Sequence, residues 1–555
     1  MPKEPEFIQC SQGKSFFKII EDLWVDIKSP SVRSIHRLCS LMRKMGATSF
    51  IKEKLLPGDD AETDQELQSL KLKFGGHASF ISVYKITFFK RPTYNYQQAI
   101  ELNNEDFLSY AVIINANWQE IGNNVQKTVN CSYILRSVVA LPTIKCPVCE
   151  HRIAKPNAYY HVYSEYYCCV YLGRSKGFKF FTVTGTFFSQ QNGSTSVCAH
   201  AALKSMVNNM NSNTFITTAY INNMIGFNLE IDKELWPEFK DIENLLRNMG
   251  FFPIVYNFFD SPNQNYADHL HHMVESSFPS LLLFTTHKVL HVVSVNGHTI
   301  NPDIWRPEAE VAYGERGDDP EDNYCSATRW VDNFIIHDDN FGMYLTLPVD
   351  SLSRITIPKK DRNFRAFSIV GLAPRMVLEP GNEIEARTYN LLKSMHQLLL
   401  PISNQHYWLK ELYNGTSPWV FRTALITKDR YRVHLGYRQT NRHPDSYGNI
   451  FSDSTIETLT DDFDNYLWLC EVSVPDLYAT NKAKIADFIH SCADNDDEKK
   501  RNNCKLIRLP GIALFLEPYL SQKINSYQIS ALAGTGITGH YPLFKVSREL
   551  NSLHG

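Results

Sequence analysis

Helical and strand periods of hydrophobic residues both occur along the whole chain. Val32, Ile35, Leu38 and Met42 recur at helical spacing and predict an amphipathic helix. Apolar segments rich in β-branched and aromatic residues follow from Ala78, among them SFISVYKITFF, YAVIINANW and SYILRSVVAL. Because helices and strands are mixed in this way, the sequence predicts the α+β class.

The length of the chain and its changes of pattern suggest three domains. At 555 residues, three or four domains of about 150 residues each are expected. We predict an N-terminal α/β domain of unknown role at 1–140, a central domain at 141–358, and a C-terminal α+β domain at 359–555. The charged segment KKDRNFR indicates a linker before the C-terminal domain, which we expect to recognise a substrate or partner.

The stretch TFFSQQNGSTSVCAHAALKSMVNNM places Cys198 at the start of a helix. A short strand precedes a polar loop, and Ser194, Thr195 and Ser196 offer oxygen atoms that can cap the helix. Free amide groups and the helix dipole favour a negatively charged sulfur at such a position. The segment therefore predicts a nucleophile if another segment supplies a base. The alternative is a small buried residue at the start of a core helix.

Two later segments offer a base and an acid. PSLLLFTTHKVLHVVSVNGHTI predicts two successive strands, the second of which begins with His291. FIIHDDNFGMYLTLP predicts a strand that ends in a turn carrying Asp338 and Asp339. Four other histidines lie near these segments or on the Cys198 helix, and we assign them structural or solvated roles: His200, His287, His298 and His337.

Taken together, these motifs resemble the papain-like cysteine peptidases, most closely the bacteriocin-leader-processing type of peptidase domain. A glutamine upstream of the cysteine helix, the strand HVVSVNG and the strand FIIHD carry the resemblance, which covers about 180–348. It implies that 141–358 is a papain-like cysteine peptidase domain, in which the cysteine helix packs on an antiparallel sheet.

The resemblance also implies roles for individual residues. Cys198 would be the nucleophile, His291 the general base and Asp338 the acid that orients the imidazole. Gln191 and the backbone amide of Cys198 would form the oxyanion hole. Gln190 and Asp339 remain alternatives for the glutamine and the acid, because the spacing fixes only the loop and the turn.

The chain departs from the family pattern at three points. Ala199 follows the cysteine where the family usually has glycine, and Gln191 lies seven positions before Cys198, one more than usual. The spacing between His291 and Asp338 is 47 positions, because a long acidic segment, 301–330, is inserted between their strands. We expect this insertion to act as a lid or to select the substrate; the alternative is that the acid is not Asp338.

The implied function is a cytoplasmic cysteine peptidase or isopeptidase that hydrolyses a peptide or protein amide bond through a thioester. A transglutaminase-like acyl transferase would use the same side chains and pass the acyl group to an amine. A catalytically inactive papain-like binding or scaffold module is the non-enzymatic alternative. A peptide or protein substrate is the expected partner, and the sequence leaves the oligomeric state open.

Metal and cofactor motifs are weak in this sequence. The CPVC motif at Cys146 and Cys149 lacks a second matched pair, so we expect ordinary thiols there and leave zinc as an alternative. Other histidines and cysteines near this motif are His151, His161, Cys168 and Cys169, and the strand-like alternation of HVYSEYYCCVYL predicts that the last two lie on opposite faces. We expect His269, His271 and His272 to be mostly solvated. No cofactor is expected, because the glycine motif at 534–539 is not followed by a helix.

Charge and composition limit the other function classes. The net charge of −3 provides no basic excess for nucleic acid or a membrane surface. No segment approaches 18 consecutive apolar residues, and the N-terminal MPKEPEFIQC does not resemble a signal peptide. Twelve scattered cysteines favour a reducing compartment over a disulfide framework. We therefore expect a cytoplasmic protein that binds neither nucleic acid nor membrane.

Overall fold

The structure is a computed structural model, and our structural statements concern the residues that it describes. These residues are 4–10, 16, 19, 32–122, 125–145, 152–154, 158–210, 215–230, 237–258, 266–286, 289–299, 323–349, 365–373, 379–397, 406–436, 453–481, 483–492, 504–510, 512–516, 524–528 and 541–543.

Most of the described strands up to residue 188 form a first sheet, which helices accompany. In chain order its elements are β1 (Glu6–Gln9), α1 (Arg33–Lys44), β2 (Ser49–Lys54), α2 (Ala61–Phe74), β3 (Ser79–Phe89), α3 (Tyr96–Glu101), β4 (Phe107–Gly122), β5 (Val125–Ala140), β6 (Thr143–Lys145), β7 (Arg152–Ala154), β8 (Ala158–Tyr160), β9 (Ser164–Gly173) and β10 (Gly177–Phe188). The sheet is antiparallel with the order β1-β2-β3-β4-β5-β10-β9, and β6 pairs separately with β7. Helix α1 buries Ile35, Leu38 and Met42, which confirms its predicted apolar face.

The next part of the chain forms most of a second sheet. Its elements are α4 (Cys198–Met210), α5 (Thr218–Ile225), α6 (Phe239–Asn248), β11 (Phe252–Asn257), α7 (Tyr266–Glu275), β12 (Ser280–Thr286), β13 (Val289–Thr299), β14 (Tyr324–Ser326), β15 (Asn333–Asp338), β16 (Gly342–Pro348) and β17 (Arg365–Ala373). The antiparallel order is β11-β17-β12-β13-β15-β16, and β8 also pairs with β13. Helix α4 packs on β12 and β13, so apolar side chains of the helix and the sheet share one core.

The C-terminal part forms a third sheet. Its elements are α8 (Gly381–Ser394), α9 (Tyr407–Asn414), β18 (Trp419–Thr427), α10 (Lys428–Gly436), α11 (Asp453–Thr460), β19 (Tyr466–Ser473), α12 (Pro475–Asn481), β20 (Ala483–Lys484), β21 (Ala486–Ser491), β22 (Cys504–Leu509), β23 (Ile512–Leu516), β24 (Ile524–Gln528) and β25 (Tyr541–Pro542). The order is β14-β18-β19-β21-β22-β23-β24, in which β14 runs parallel to β18 and the other pairs are antiparallel. β20 pairs separately with β25.

The α+β class predicted from the sequence is confirmed, because helices accompany largely antiparallel sheets throughout the described residues. Sheet membership does not follow the ranges 1–140, 141–358 and 359–555. β9 and β10 belong to the first sheet, β14 to the third and β17 to the second. The physical reason is that strand pairing is non-local, whereas a change of composition along the chain is a local signal. None of the helices in the described residues has the length and apolarity needed to cross a membrane.

Candidate active site

The loop that leads into α4 is shaped by the side chain of Asn192. Its Oδ1 accepts the backbone N–H groups of Ser194, Thr195 and Ser196 at 2.7, 2.8 and 3.2 Å. Gly193 has φ +74°, a left-handed conformation that glycine adopts readily. One buried amide therefore holds the polar loop in a fixed shape immediately before the helix.

Glu66 on α2 anchors the same loop to the N-terminal part of the chain. Its Oε1 accepts hydrogen bonds from Asn192 Nδ2 at 2.7 Å, Tyr133 Oη at 2.8 Å and Thr195 Oγ1 at 3.3 Å. Burial raises the pKa of Glu66, against the effect of these donors and of Lys204. The sequence analysis assigned no role to Glu66, and no local motif marks it.

Cys198 is the first residue of α4 and lies at the edge of the core between that helix and the second sheet. Its exposed fraction is 5%. It packs in the same apolar cluster as Leu283 on β12 and Val292 on β13. The Cys198 thiol is among the groups that raise the pKa of His291, so the two side chains lie close to each other.

His291 on β13 also faces the turn after β15. Its Nε2 lies 3.2 Å from Asp338 Oδ2 and 3.6 Å from Asp339 Oδ1. Asp338 Oδ1 accepts the backbone N–H groups of Asn340 and Phe341 at 2.8 and 3.2 Å. These two bonds fix the Asp338 carboxylate with its other oxygen toward His291, so Asp338 is the better placed of the two acids.

The protonation of this group follows from its surroundings. Burial disfavours the charged form of His291, but hydrogen bonds with Asp338 and Cys198 and the charges of Asp338 and Asp339 raise its pKa to about 10. Burial raises the pKa of Asp339 to about 7, although the charge of His291 opposes this shift. The imidazole is therefore protonated at neutral pH in the structure described here.

The two glutamines of the loop have different positions. Gln191 Nε2 donates to Asn340 Oδ1 at 3.2 Å, so this side chain lies beside the turn that carries the acids. Gln190 pairs with β5, where its Oε1 accepts the Ile134 N–H at 3.1 Å and its own N–H donates to the Ile134 carbonyl at 2.9 Å. Gln191 is thus the glutamine closer to the candidate site.

Helix α1 holds the acid turn from the outside, which the sequence analysis did not anticipate. Ser34 Oγ donates to the Asp339 carbonyl at 3.0 Å. One turn later, Arg37 donates through Nε to the Met343 carbonyl at 3.0 Å and through Nη2 to the Tyr344 carbonyl at 2.7 Å. The sequence shows that α1 carries polar residues on one face of an amphipathic helix. It does not indicate which residues they contact.

The competing histidines have structural surroundings. His200 Nε2 lies 2.8 Å from Asn222 Oδ1. His337 contacts the Phe187 carbonyl through Nδ1 at 3.1 Å and Thr186 Oγ1 through Nε2 at 3.2 Å. Both are fully buried or nearly so, and neither touches Cys198 in these contacts. His287 lies outside the described residues.

The prediction that His269, His271 and His272 are mostly solvated is wrong. His271 and His272 have exposed fractions of 0% and 1%, and His269 is partly buried. Helix α7 packs between strands of the second and third sheets, so more than one of its faces is covered. His272 Nε2 pairs with Glu385 at 2.8 Å, whereas His271 faces Glu275.

Two groups of side chains in the described residues could hold a metal ion. The ligand atoms of His291, Asp338 and Asp339 lie within 4.8 Å of one another, as do those of a second group. The second group consists of His161, Glu275 and His298.

His161 thus turns toward β13. Its neighbours in the zinc alternative, Cys146, Cys149 and His151, lie outside the described residues. Cys168 is buried and Cys169 half-buried on opposite faces of β9, as the alternation predicted.

Comparison with known proteins identifies no significant relative of this chain. No family model matches the sequence, no curated protein matches it significantly, and no solved structure matches its fold significantly.

Proposed function

We propose that this protein is a papain-like cysteine peptidase or isopeptidase that hydrolyses a peptide or protein amide bond. The observation that carries the proposal is the meeting of Cys198, His291 and Asp338, which come from a helix start, a strand and a turn far apart in the sequence. A thiol, an imidazole and a fixed carboxylate in contact are the components of a nucleophilic triad.

In the first half of the reaction, the thiol proton already resides on His291, and the Cys198 sulfur attacks the amide carbonyl carbon as a thiolate. The carbonyl electron pair moves to oxygen, and donors at the helix start and Gln191 stabilise the resulting oxyanion. When this intermediate collapses, the C–N bond breaks and the leaving nitrogen takes the proton from His291. The products of this half are an amine and a thioester on Cys198.

In the second half, water attacks the thioester carbonyl while His291 accepts one of its protons. The C–S bond then breaks, the carboxylic acid leaves with the electron pair of that bond remaining on sulfur, and the thiolate and protonated His291 are restored. Asp338 accepts a hydrogen bond from the imidazole throughout and keeps the ring in place. Because backbone amides hold its second oxygen, Asp338 can orient the ring without moving.

The charge distribution supports this chemistry. A cationic His291 between a thiol and two carboxylates is the electrostatic partner that a negatively charged sulfur needs. The low exposure of the reactive groups supports the substrate class. With Cys198 5% exposed and the His291 side chain 14% exposed, a slim, extended segment such as a protein tail is favoured as the substrate. The free thiols among the described residues favour a reducing compartment such as the cytoplasm.

The test uses the full-length protein with a panel of fluorogenic peptides and Cys198→Ala as the inactive variant. We expect Cys198→Ala to lower turnover at least about 10³-fold, since the nucleophile is lost. Cys169→Ala is the matched control, because Cys169 is a half-buried thiol on β9 outside the site, and it should retain activity. Equal turnover by wild type and Cys198→Ala would contradict the proposal.

Two further readouts separate the alternatives. Incorporation of an amine into the acyl product, lost in Cys198→Ala, would indicate an acyl transferase instead of a hydrolase. Alkylation by iodoacetamide at pH 6 should be faster at Cys198 than at Cys169 if the sulfur is activated. Slow alkylation together with no turnover on any substrate would favour a binding module.

A further inference from the structure

A second group of polar side chains is sealed between the second and third sheets. His161 follows β8, His298 lies on β13 and Glu275 is the last residue of α7. Their exposed fractions are 5%, 0% and 1%. His161 Nε2 lies 3.2 Å from His298 Nε2, His298 Nε2 lies 2.7 Å from Glu275 Oε1, and His161 Nε2 lies 3.9 Å from that oxygen.

These distances agree with those between ligands around one zinc ion. Zn²⁺ bonds to histidine nitrogen and carboxylate oxygen at about 2.0–2.1 Å, so two ligand atoms in a tetrahedron are roughly 3.3 Å apart. The three observed separations of His161, His298 and Glu275 fall on both sides of this value. Two histidines and a glutamate form a donor set that zinc uses in proteins.

The backbone contact of His298 has the arrangement of a metal-bound histidine. Its Nδ1 lies 3.2 Å from the Thr299 carbonyl, and in the tautomer that donates to this carbonyl, Nε2 offers a lone pair toward Glu275 and His161. The backbone carbonyl is also the usual outer partner of a metal-bound histidine.

The surroundings complete a metal-binding environment. Arg422 on β18 donates to Glu275 Oε2, which leaves Oε1 directed at the histidines. Glu471 neutralises the same guanidinium. His271 Nε2 lies 3.4 Å from Glu275 Oε1, and neither of its ring nitrogens has a hydrogen-bond partner, although the residue is fully buried. His271 is therefore a further buried imidazole beside Glu275.

The space beside the group is compatible with this assignment. A cavity of about 160 Å³ lies beside His161 and is lined also by Ser277, Thr427 and Tyr466, which gives a hydrated ion room to approach.

We infer that His161, His298 and Glu275 bind a Zn²⁺ ion that joins the second sheet to helix α7 beneath the third sheet. The ion is structural, because its ligands are sealed from solvent and lie apart from the Cys198 group. It links the three side chains through coordinate bonds. The inference is independent of the peptidase proposal, since Cys198, His291 and Asp338 take no part in it.

The test measures zinc in the full-length protein, grown with added Zn²⁺ and dialysed to remove loosely bound ions. We expect about one Zn²⁺ per wild-type chain. His161→Gln and His298→Gln should each lower the zinc content at least tenfold. His272→Gln is the matched control, because His272 is the adjacent buried histidine of α7 and pairs with Glu385. It should retain the metal, and so should Asp338→Asn.

The outcomes distinguish a zinc site from a hydrogen-bonded histidine cluster. Wild-type protein that contains no zinc and takes up neither Zn²⁺ nor Co²⁺ would overturn the inference without any variant. Loss of zinc in Asp338→Asn but not in His161→Gln would place the metal at the other group and also overturn it. If a glutamine variant fails to fold, the visible spectrum of Co²⁺-loaded wild type decides, because tetrahedral nitrogen and oxygen ligation is required.

Discussion

Two groups in this molecule combine histidine with carboxylate, and their surroundings give them different chemistry. His291 lies 3.2 Å from Asp338 and beside a thiol at a helix start, with 14% of its side chain exposed. His298 lies 2.7 Å from Glu275 and beside a second imidazole, with no exposed surface. The third partner and access to solvent, more than the histidine–carboxylate pair itself, determine what each group can do.

The two groups also differ in the protonation of their histidines. Acidic partners and the Cys198 hydrogen bond overcome burial and raise the pKa of His291 to about 10, so this ring holds a proton that it can transfer. Burial prevails at His161 and lowers its pKa to about 3, so that ring offers a lone pair. We therefore propose proton transfer at one group and metal coordination at the other, although both combine histidine with carboxylate.

Replacing each of the two acids of the turn in a separate variant tests this comparison most strongly. Asp338→Asn should lower turnover about 10³- to 10⁴-fold, because an amide cannot hold the imidazole in the reactive orientation. Asp339→Asn should lower it less than about tenfold, since Asp338 is the closer acceptor. Steady-state kinetics on the best peptide checks both. A larger loss in Asp339→Asn would assign the orienting role to Asp339.

Glu275→Ala should have the largest effect on stability. The substitution leaves Arg422 with one of its two carboxylate partners in a fully buried position, which typically costs about 3–5 kcal/mol. Chemical denaturation of the full-length protein measures the change. Glu243→Ala removes a largely exposed pair with Arg247 and should cost less than about 1 kcal/mol. Similar values for the two variants would show that the sealed group is not part of the stable core.

Asn192→Ala tests whether the nucleophile depends on its loop. The variant loses three backbone hydrogen bonds to one side chain, so the loop before Cys198 should become less ordered. We expect turnover to fall about 10- to 100-fold while the protein stays folded. Kinetics together with iodoacetamide labelling at Cys198 checks this. Unchanged turnover would mean that the helix alone positions the thiol.

Arg37→Met tests the support that α1 gives to the acid turn. The substitution keeps the apolar stem and removes the bonds to the Met343 and Tyr344 carbonyls. Turnover should fall about 3- to 10-fold, with no change in zinc content. Arg33→Met on the same helix is the control, because Arg33 contacts the face of Phe341 instead of the backbone of the turn. Equal losses in the two variants would contradict a specific role for Arg37.

The smallest effect concerns the pH dependence of stability. Burial raises the pKa of Asp339 from 3.8 to about 7, so the folded state binds this proton more tightly than the unfolded chain. The associated stability is present below pH 3.8 and is lost as the pH rises through about 7. Because asparagine does not ionise, Asp339→Asn does not lose this stability as the pH rises. The variant should therefore melt about 1–3 °C higher than wild type at pH 8. The difference in melting temperature between Asp339→Asn and wild type should decrease as the pH falls below 7. A variant that melts at a lower temperature than wild type at pH 8 would show that the ionised acid stabilises the fold.

Local patterns in the sequence predicted local features of the fold. Helical spacing gave the buried face of α1, and strand alternation separated Cys168 from Cys169. The capping residues before Cys198 placed it at a helix start, as the structure has it. Each of these features depends on neighbours within a few positions, which a single sequence displays directly.

Features that depend on distant contacts were not predictable in this way. Ser34 and the Asp339 carbonyl are 305 positions apart, and Arg422 and Glu275 are 147 apart. His271 has no local signal for burial, because the strands that cover α7 belong to two different sheets. The candidate triad was accessible because its members resemble a family pattern, whereas the sealed histidines belong to no motif that the sequence analysis recognised.

The position of β17 has a consequence for the order in which the protein is synthesised. This strand inserts between β11 and β12, and its Val370 and Leu372 pack in the core that contains Cys198. A ribosome therefore delivers the thiol, the imidazole and the acid well before the strand that completes their support. Until β17 has emerged, β12 has an unpaired edge and the reactive side chains lack their final framework. Vectorial translation thus delays assembly of the proposed active centre until most of the chain has left the exit tunnel.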